Sequence, residues 1–156
     1  MNGTILLVED DANDVFFMKR AMKAAQILNP LQVASDGRQA IRYLEGAGEY
    51  NDRQLFPLPK LVLLDLKLPY VMGLEVLKWI REQPELKGIV VLVFSSSKMP
   101  EDIHTAYLLG ANSYLVKPSD PKDLIEKVKV IKDYWIDVNH CTPGAGSVKI
   151  SQRVVY

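Results

Sequence analysis

Four apolar runs of this sequence end in side chains whose oxygen or nitrogen atoms could do chemistry. One run is followed by Glu9 and Asp10, another by Asp65, a third ends in Ser95 and the last is followed by Lys117. If these runs are parallel strands, their carboxyl ends lie at one edge of a sheet, where ligands bind in open α/β folds. We therefore expect carboxylates, a hydroxyl and a lysine to meet at that edge.

The carboxylates of this set favour a bound divalent cation. Clustered carboxylates repel one another where the dielectric is low, and a cation between them removes that repulsion. Mg²⁺ prefers oxygen ligands, keeps several waters and commonly bridges to a phosphate. The sequence therefore predicts Mg²⁺ as a cofactor beside Glu9, Asp10 and Asp65.

The lysine and the serine suit a phosphoryl group that is being transferred. Lys117 would place its charge on one phosphoryl oxygen, and Ser95 would donate a hydrogen bond to another. Asp65 remains free to be the nucleophile, because an aspartate is ionised at neutral pH and can attack a phosphoryl donor to form an acyl phosphate.

The elements that would hold these groups alternate between strand-like and helix-like segments. The strand-like runs are rich in Val, Ile and Leu and mostly lack polar alternation, which is typical of strands buried on both faces of a parallel sheet. They are Thr4–Val8, Leu31–Ala34, Leu61–Leu64, Ile89–Phe94 and Ser113–Val116. Apolar stripes of helical period follow each run. A βα unit repeated five times predicts a doubly wound α/β fold with helices on both faces of the sheet.

Helix starts and connections complete this plan. Asp36, Pro100 and the pair Asp120–Pro121 each stand where a helix should begin. Residues 46–59 are too long and polar for an ordinary connection and predict an inserted surface loop. We place a domain at residues 1–139 and a C-terminal tail at 140–156, which is strand-like by its β-branched content.

Composition limits the partners and the location. The 156 residues carry 19 basic and 19 acidic side chains, so no bulk charge favours nucleic acid or an anionic membrane. The single cysteine, Cys141, excludes an internal disulfide, and no apolar run approaches the roughly 20 residues that span a bilayer. With no signal-peptide pattern at the N-terminus, we expect a cytoplasmic protein.

Four motifs together resemble those of response-regulator receiver domains of two-component signalling. They are ILLVEDD, LVLLDLKLPYVMG, VVLVFSSS and GANSYLVKP, in matching order. Asp65 and Ser95 are 30 positions apart, and Ser95 and Lys117 are 22 apart, as the resemblance requires. It covers about residues 4–135 and implies a flavodoxin-like, five-stranded sheet in the order 2-1-3-4-5.

The resemblance also implies a role for each matching metal-site position. Asp65 corresponds to the phosphoacceptor. Glu9 and Asp10 correspond to the acidic pair, with Asp10 a direct Mg²⁺ ligand and Glu9 acting through water. Lys67, two positions after the acceptor, corresponds to a residue whose backbone carbonyl binds the metal.

The phosphoryl-binding and switch positions follow in the same way. Ser95, Ser96 and Lys117 correspond to phosphoryl-binding residues, and Ser95 with Tyr114 to the switch pair. Pro118 implies a cis peptide after Lys117, which would aim the lysine inward. Tyr114 could equally be a half-buried edge aromatic.

Partners follow from the resemblance and from the apolar surface. The resemblance implies a sensor histidine kinase as phosphoryl donor, and the long loop with the DYWIDV ending of the last helix is similar to regulators that partner bacterial phytochromes. We expect no DNA-binding or catalytic output domain after this one, so the output would be a contact with a partner, or the protein would be a relay intermediate. The last helix carries a second apolar stripe, which predicts a homodimer with the tail as an arm. The predicted dimer face contains Tyr107, Tyr114, Val130 and Tyr134.

Other functions compete with this interpretation. A phosphatase of the haloacid dehalogenase type would need a second carboxylate two residues after Asp65, where Lys67 stands, so we expect no turnover enzyme. A flavodoxin-like nucleotide binder would need a phosphate loop in place of the acidic VEDDAND. A degenerate receiver that acts only as an interaction module is a third alternative. Taken singly, Asp10 or Asp65 would more often be a helix cap.

Overall fold

Five parallel strands form the central sheet of the computed structural model, which describes residues 2–142. The strands are β1 (Ile5–Val8), β2 (Leu31–Ala34), β3 (Leu61–Leu64), β4 (Val90–Ser95) and β5 (Ser113–Val116). Their order is β2-β1-β3-β4-β5 and every neighbouring pair is parallel, so the predicted fold class and strand order are confirmed. Apart from residues 140–142, the predicted C-terminal arm lies outside the described residues.

Helices follow each strand, as the alternating pattern predicted. They are α1 (Ala12–Ala24), α2 (Gly37–Glu45), α3 (Gly73–Glu82), α4 (Pro100–Leu108) and α5 (Pro121–Ile131). The predicted starts are confirmed: Asp36 and Asp120 are N-caps whose carboxylates accept backbone hydrogen bonds, and Pro100 opens α4. Between residues 2 and 142, none of the helices is sufficiently long and apolar to cross a membrane.

Both faces of the sheet are buried, which explains why its strands are continuously apolar. Alternate strand residues such as Leu6 and Val62 pack against α2 and α3, and their neighbours such as Leu7 and Leu63 pack against α1 and α5. The α4 helix contributes Ala106, which packs against Val93 on the same face as α3. The strand register aligns the carboxyl ends of three strands, because Val8 pairs with both Leu64 and Ala34.

The end of the last helix changes from α-helical to π-helical geometry. After α5 the chain continues as a π-helical segment, Lys132–Val138. A π-turn brings residues five apart onto one face, so Ile136 continues the core position of Ile131, while Trp135 is only half-buried. The second apolar stripe remains exposed, with Val130 at 62%, Tyr134 at 52% and Val138 at 62%.

The insertion at residues 46–59 is a packed structure rather than a simple surface loop. The rings of Tyr43, Tyr50 and Phe56 lie 5.1–6.1 Å apart, and Tyr50 is buried in a short 3₁₀ helix, Gly48–Tyr50. The Arg53 guanidinium donates to the carbonyl oxygens of Tyr43 and Leu44, each at 2.7 Å, and of Phe56 at 3.1 Å. Arg53 therefore joins the last turn of α2 to the insertion, since its partners Tyr43 and Leu44 belong to α2 and Phe56 belongs to the insertion.

Candidate functional site

Three carboxylates meet where β1 and β3 end. One carboxylate oxygen from each of Glu9, Asp10 and Asp65 lies within 4.8 Å of the others. Backbone bonds continue the ladder past the strands and place these residues, since the amide of Glu9 donates to Ala34 and that of Asp65 to Val8. Glu9 is 3% and Asp65 7% exposed, while Asp10 faces solvent. An all-oxygen donor set of this kind is compatible with a divalent cation.

The ammonium group of Lys117 lies against the acidic cluster. Its Nζ atom is 2.5 Å from Glu9 Oε2, 2.9 Å from Asp65 Oδ2 and 3.0 Å from Asp14 Oδ2. The Lys117 amide also donates to the carbonyl oxygen of Ser95, which continues the pairing of β5 with β4. One cation is therefore shared by three carboxylates from three separate segments.

Burial and ion pairing oppose each other in this cluster. Burial by itself lowers the pKa of Lys117, but hydrogen bonds to Glu9, Asp65 and Asp14 outweigh it and raise the pKa above its ordinary value. Burial raises the pKa of Glu9, although hydrogen bonds from Lys117 and from the Asp11 amide partly offset that effect. Lys117 is thus charged at neutral pH and compensates the buried carboxylates.

The start of α3 holds the backbone of Asp65 in place. Asp65 Oδ1 accepts a 2.7 Å hydrogen bond from the Leu66 amide, and the Gly73 amide donates to the Leu66 carbonyl at 2.9 Å. A Cβ atom on Gly73 would lie 2.0 Å from the carbonyl oxygen of Asp65. Only glycine allows this close approach, because it has no Cβ atom.

The end of β4 and the loop after it connect to Tyr114. Ser95 is fully buried, and its hydroxyl oxygen accepts from the Ser97 amide at 3.2 Å. The Ser97 hydroxyl donates to Asp102 in the first turn of α4 and accepts from the Met99 amide. The Tyr114 hydroxyl donates to the Ser97 carbonyl at 2.9 Å. Ser97 therefore connects the end of β4 with α4 and β5. In the sequence this residue stood out only as the last serine of the VVLVFSSS motif.

The structure places the remaining predicted residues as follows. Lys67 and Ser96 are exposed on the loops after β3 and β4. Asp11 is exposed and is the N-cap of α1, where its carboxylate accepts hydrogen bonds from the amides of Asn13 and Asp14. The helix-cap interpretation weighed for Asp10 thus applies to its neighbour, because Asp11 directly precedes α1.

Asp14 is a site residue that sequence reasoning missed. It lies in the first turn of α1, four positions after Asp10, and contacts Lys117 as described. The available signal was its place in the first turn of a helix that begins directly after Glu9 and Asp10. It was weak, because the direction in which α1 leaves the sheet edge decides whether such a carboxylate faces the site.

The prediction of a cis peptide before Pro118 is wrong. No peptide bond between residues 2 and 142 is cis, so Lys117 and Pro118 are joined in trans. The trans isomer of an X-Pro bond is the more stable one by about 0.5–1 kcal/mol. Lys117 reaches Glu9, Asp14 and Asp65 from a trans backbone, so its inward direction does not require the rarer isomer.

The parallel sheet carries buried carboxylates and a charged lysine at its carboxyl edge, which is the arrangement that the resemblance to receiver domains implies. Residues 5–129 match the family described as response regulator receiver domain. The sequence is 38% identical over 133 residues to response regulator Rcp1 of Synechocystis sp., covering 85% of this chain and 88% of that protein. It is also 38% identical over 143 residues to the probable methanogenesis regulatory protein FilR2 of Methanothrix harundinacea, covering 90% and 87%. The chain belongs to the response regulator receiver domain family.

Solved structures agree with this assignment. The Mn²⁺-bound form of response regulator Rcp1 superposes with a TM-score of 0.82 at 36% identity, covering 90% of this chain and 99% of that one. The phosphorylated cyanobacterial phytochrome response regulator RcpA gives a TM-score of 0.85 at 34% identity, covering 92% and 100%. The likeness extends over almost the whole length of both relatives.

Replacing Gly73 should disturb the site through its backbone. We expect Gly73→Ala to lower the free energy of unfolding by about 3 kcal/mol, because the added methyl group meets backbone atoms that cannot move aside. Gly88→Ala is the matched control, since its Cβ would meet only the Thr142 side chain, at 3.0 Å or more, and should change stability by less than about 1 kcal/mol. Urea unfolding of both variants measures the difference, and equal losses would contradict the close packing at Gly73.

Proposed function

We propose that this chain accepts a phosphoryl group on Asp65 from the phosphohistidine of a sensor histidine kinase, with Mg²⁺ as cofactor, and reports that change through contacts with partners. The observation that carries the proposal is the convergence of Glu9, Asp10 and Lys117 on Asp65 at the carboxyl edge of the sheet. Under this proposal the chain acts in phosphorelay signal transduction, and we propose the cytoplasm as its location.

The metal ligands in this proposal are oxygen atoms at the ends of β1 and β3. Asp10 is exposed and can bind Mg²⁺ directly, whereas Glu9 is buried against Lys117 and would act through water. Asp65 and the backbone carbonyl of Lys67 complete the protein ligands. Bound Mg²⁺ neutralises charge on the phosphoryl oxygens and aligns them for transfer.

The transfer step follows from the groups around Asp65. An Asp65 carboxylate oxygen attacks the phosphorus atom, the phosphorus–nitrogen bond of phosphohistidine breaks, and the imidazole leaves with the electron pair. Lys117 binds one phosphoryl oxygen by exchanging its bond to Asp65 Oδ2 for a bond to the new group. Ser95 and Ser96, at the end of β4, bind the others.

The switch in this proposal runs from Ser95 to Tyr114. To donate its proton to a phosphoryl oxygen, the Ser95 hydroxyl turns away from the Ser97 amide, from which it accepts a hydrogen bond. The Ser97 carbonyl oxygen accepts a hydrogen bond from the Tyr114 hydroxyl, and the Ser97 hydroxyl donates to Asp102. A shift at Ser95 therefore alters the loop that positions both Tyr114 and the start of α4.

Phosphoryl acceptance without enzymatic turnover fits the site better than phosphatase activity. A phosphatase with an aspartate nucleophile needs a second carboxyl group two residues later as general acid, and Lys67 stands at that position. We therefore propose a protein that is phosphorylated and dephosphorylated at Asp65 but does not process a separate substrate.

A phytochrome is the proposed type of kinase. The support is the similarity to RcpA, described as a cyanobacterial phytochrome response regulator, and to RtBRR, described as a bacteriophytochrome response regulator, at 34% and 38% identity. The resemblance of the insertion and of the helix ending supports the same type of partner.

A homodimer is the proposed assembly. Four residues expose 50–73% of their surfaces, and Tyr114 on β5 is half-buried. The four are Tyr107 and Leu108 on α4, Val130 on α5 and Tyr134 in the π-helical segment. Exposed apolar residues that form such a patch are typical of an interaction face. A closed twofold contact is the commonest way to bury it.

Acetyl phosphate tests the phosphoacceptor. With Mg²⁺, the chain should gain the mass of one phosphoryl group, and Asp65→Asn should gain none because the amide is not a nucleophile. Asp11→Asn is the matched control, since this neighbouring acid caps α1 and should leave labelling intact. Intact-mass measurement distinguishes the variants, and unchanged labelling of Asp65→Asn would place the acceptor elsewhere.

The neighbouring aspartates should separate metal binding from helix capping. We expect Asp10→Ala to weaken Mg²⁺ binding at least tenfold, because a charged ligand is lost, while leaving stability nearly unchanged. Asp11→Ala should keep the Mg²⁺ affinity and lose about 1 kcal/mol of stability with its cap. Calorimetric titration with Mg²⁺ and urea unfolding measure the two effects. The reverse pattern would refute both assignments.

Sedimentation tests the dimer and its face. The full chain should sediment as a dimer at micromolar concentration, and Tyr134→Glu should yield monomers because a charge enters the apolar contact. Leu28→Glu, at a 93% exposed position outside that face, is the control and should remain dimeric. A version that ends at Asn139 should dimerise more weakly if the tail contributes to the contact, and an unchanged dimer would remove the tail from the proposal. A monomeric parent chain would exclude the dimer.

A further inference from the structure

Asp14 is the least enclosed of the three carboxylates that share Lys117. Its side chain is 46% exposed, compared with 4% for Glu9 and 9% for Asp65. It stands on α1, whereas the other two follow strands. A cavity of about 290 Å³ lies beside Lys117 and Asp14, lined by apolar side chains of α1, β4 and α5, including Phe17, Phe94 and Leu124.

The hydrogen-bonding capacity of Lys117 makes this third contact consequential. A lysine ammonium has three protons, and Glu9, Asp14 and Asp65 account for one hydrogen bond each. A phosphoryl group on Asp65 brings additional acceptor oxygens and negative charge. Lys117 gives up its bond to Asp65 Oδ2 for a bond to that group, and as it turns toward the added charge one of the two remaining carboxylates, Glu9 or Asp14, must release the ammonium or share it.

Asp14 is the carboxylate that can be released at the lowest cost. Glu9 would be left as a buried charge without its cation, which is strongly unfavourable. Asp14 is half exposed and borders the open cavity, so water can solvate it after the bond to Lys117 breaks. If Asp14 stays in place, its negative charge repels the incoming phosphoryl group. In both cases Asp14 disfavours phosphorylation.

We propose that Asp14 is a positioning residue that holds Lys117 in the unphosphorylated state and competes with the phosphoryl group for it. Asp14 thereby sets how readily Asp65 becomes phosphorylated. This inference rests on the proposed function, because it assumes that Lys117 serves a phosphoryl group on Asp65.

The test measures affinity for beryllofluoride, a phosphoryl mimic that binds a carboxylate, in the presence of Mg²⁺. Asp14→Asn should bind it about threefold more tightly than the parent chain, as expected for loss of one half-exposed competing charge. Asp14→Glu, which keeps the charge, should bind like the parent. Asp123→Asn is the matched control, because Asp123 lies in the first turn of α5 and should leave the affinity unchanged.

Two further measurements separate this inference from a general structural effect and from the proposed function. The Mg²⁺ affinity of each variant is measured first, so that beryllofluoride is titrated at saturating Mg²⁺ throughout, and restored parent affinity in Asp14→Glu separates the effect of the charge from a distorted acidic cluster. Equal or weaker beryllofluoride binding by Asp14→Asn, while the parent is labelled at Asp65 by acetyl phosphate, overturns the inference alone. A parent chain that neither binds beryllofluoride nor becomes labelled overturns the inference and the proposed function together.

Discussion

The ion pairing of Lys117 with buried carboxylates is the interaction on which the rest of the site depends. Glu9 and Asp65 are almost fully enclosed, and two such charges side by side would be unfavourable without a cation. The lysine comes from the end of β5, and β4 lies between β5 and β3 in the sheet. Its side chain must therefore pass over the end of β4, where the small and fully buried Ser95 leaves room.

The aliphatic sheet provides a rigid backbone to which these charged residues are attached. Its central strands are buried on both faces, and backbone hydrogen bonds continue past the strand ends to Glu9, Asp65 and Lys117. The charged groups are thus attached to the least deformable part of the domain. Their positions are set by the backbone, while their mutual attractions determine the side-chain directions.

Much of this architecture is encoded in local patterns. Continuous apolar runs predicted the five strands to within one residue at their ends, and Asp36 and Asp120 marked helix starts by the same capping chemistry that the structure displays. Glu9, Asp10, Asp65 and Lys117 were predicted to meet because parallel strands bring their carboxyl ends to one edge. In these cases residue type and position along the chain carry the information.

Other features depend on packing between segments, which a local pattern does not contain. Asp14 contacts Lys117 only because α1 turns its first residues toward the sheet edge. The π-helical turn after Ile131 buries Ile136 in the core and leaves Trp135 partly buried beside it, which the regular helical period cannot anticipate. Arg53 is a charged residue in a polar stretch, and its three carbonyl partners become evident only when the insertion folds against α2.

The close fit of Gly73 against Asp65 gives the domain a mechanical asymmetry. On the β3 side, the acceptor backbone and α3 are in direct contact, so neither can shift without displacing the other. On the β4 side, the contacts of Ser95, Ser97 and Tyr114 involve hydroxyl groups, which can exchange partners while the strand ladder stays intact. A movement that starts at Asp65 would therefore meet less resistance toward α4 and β5 than toward α3.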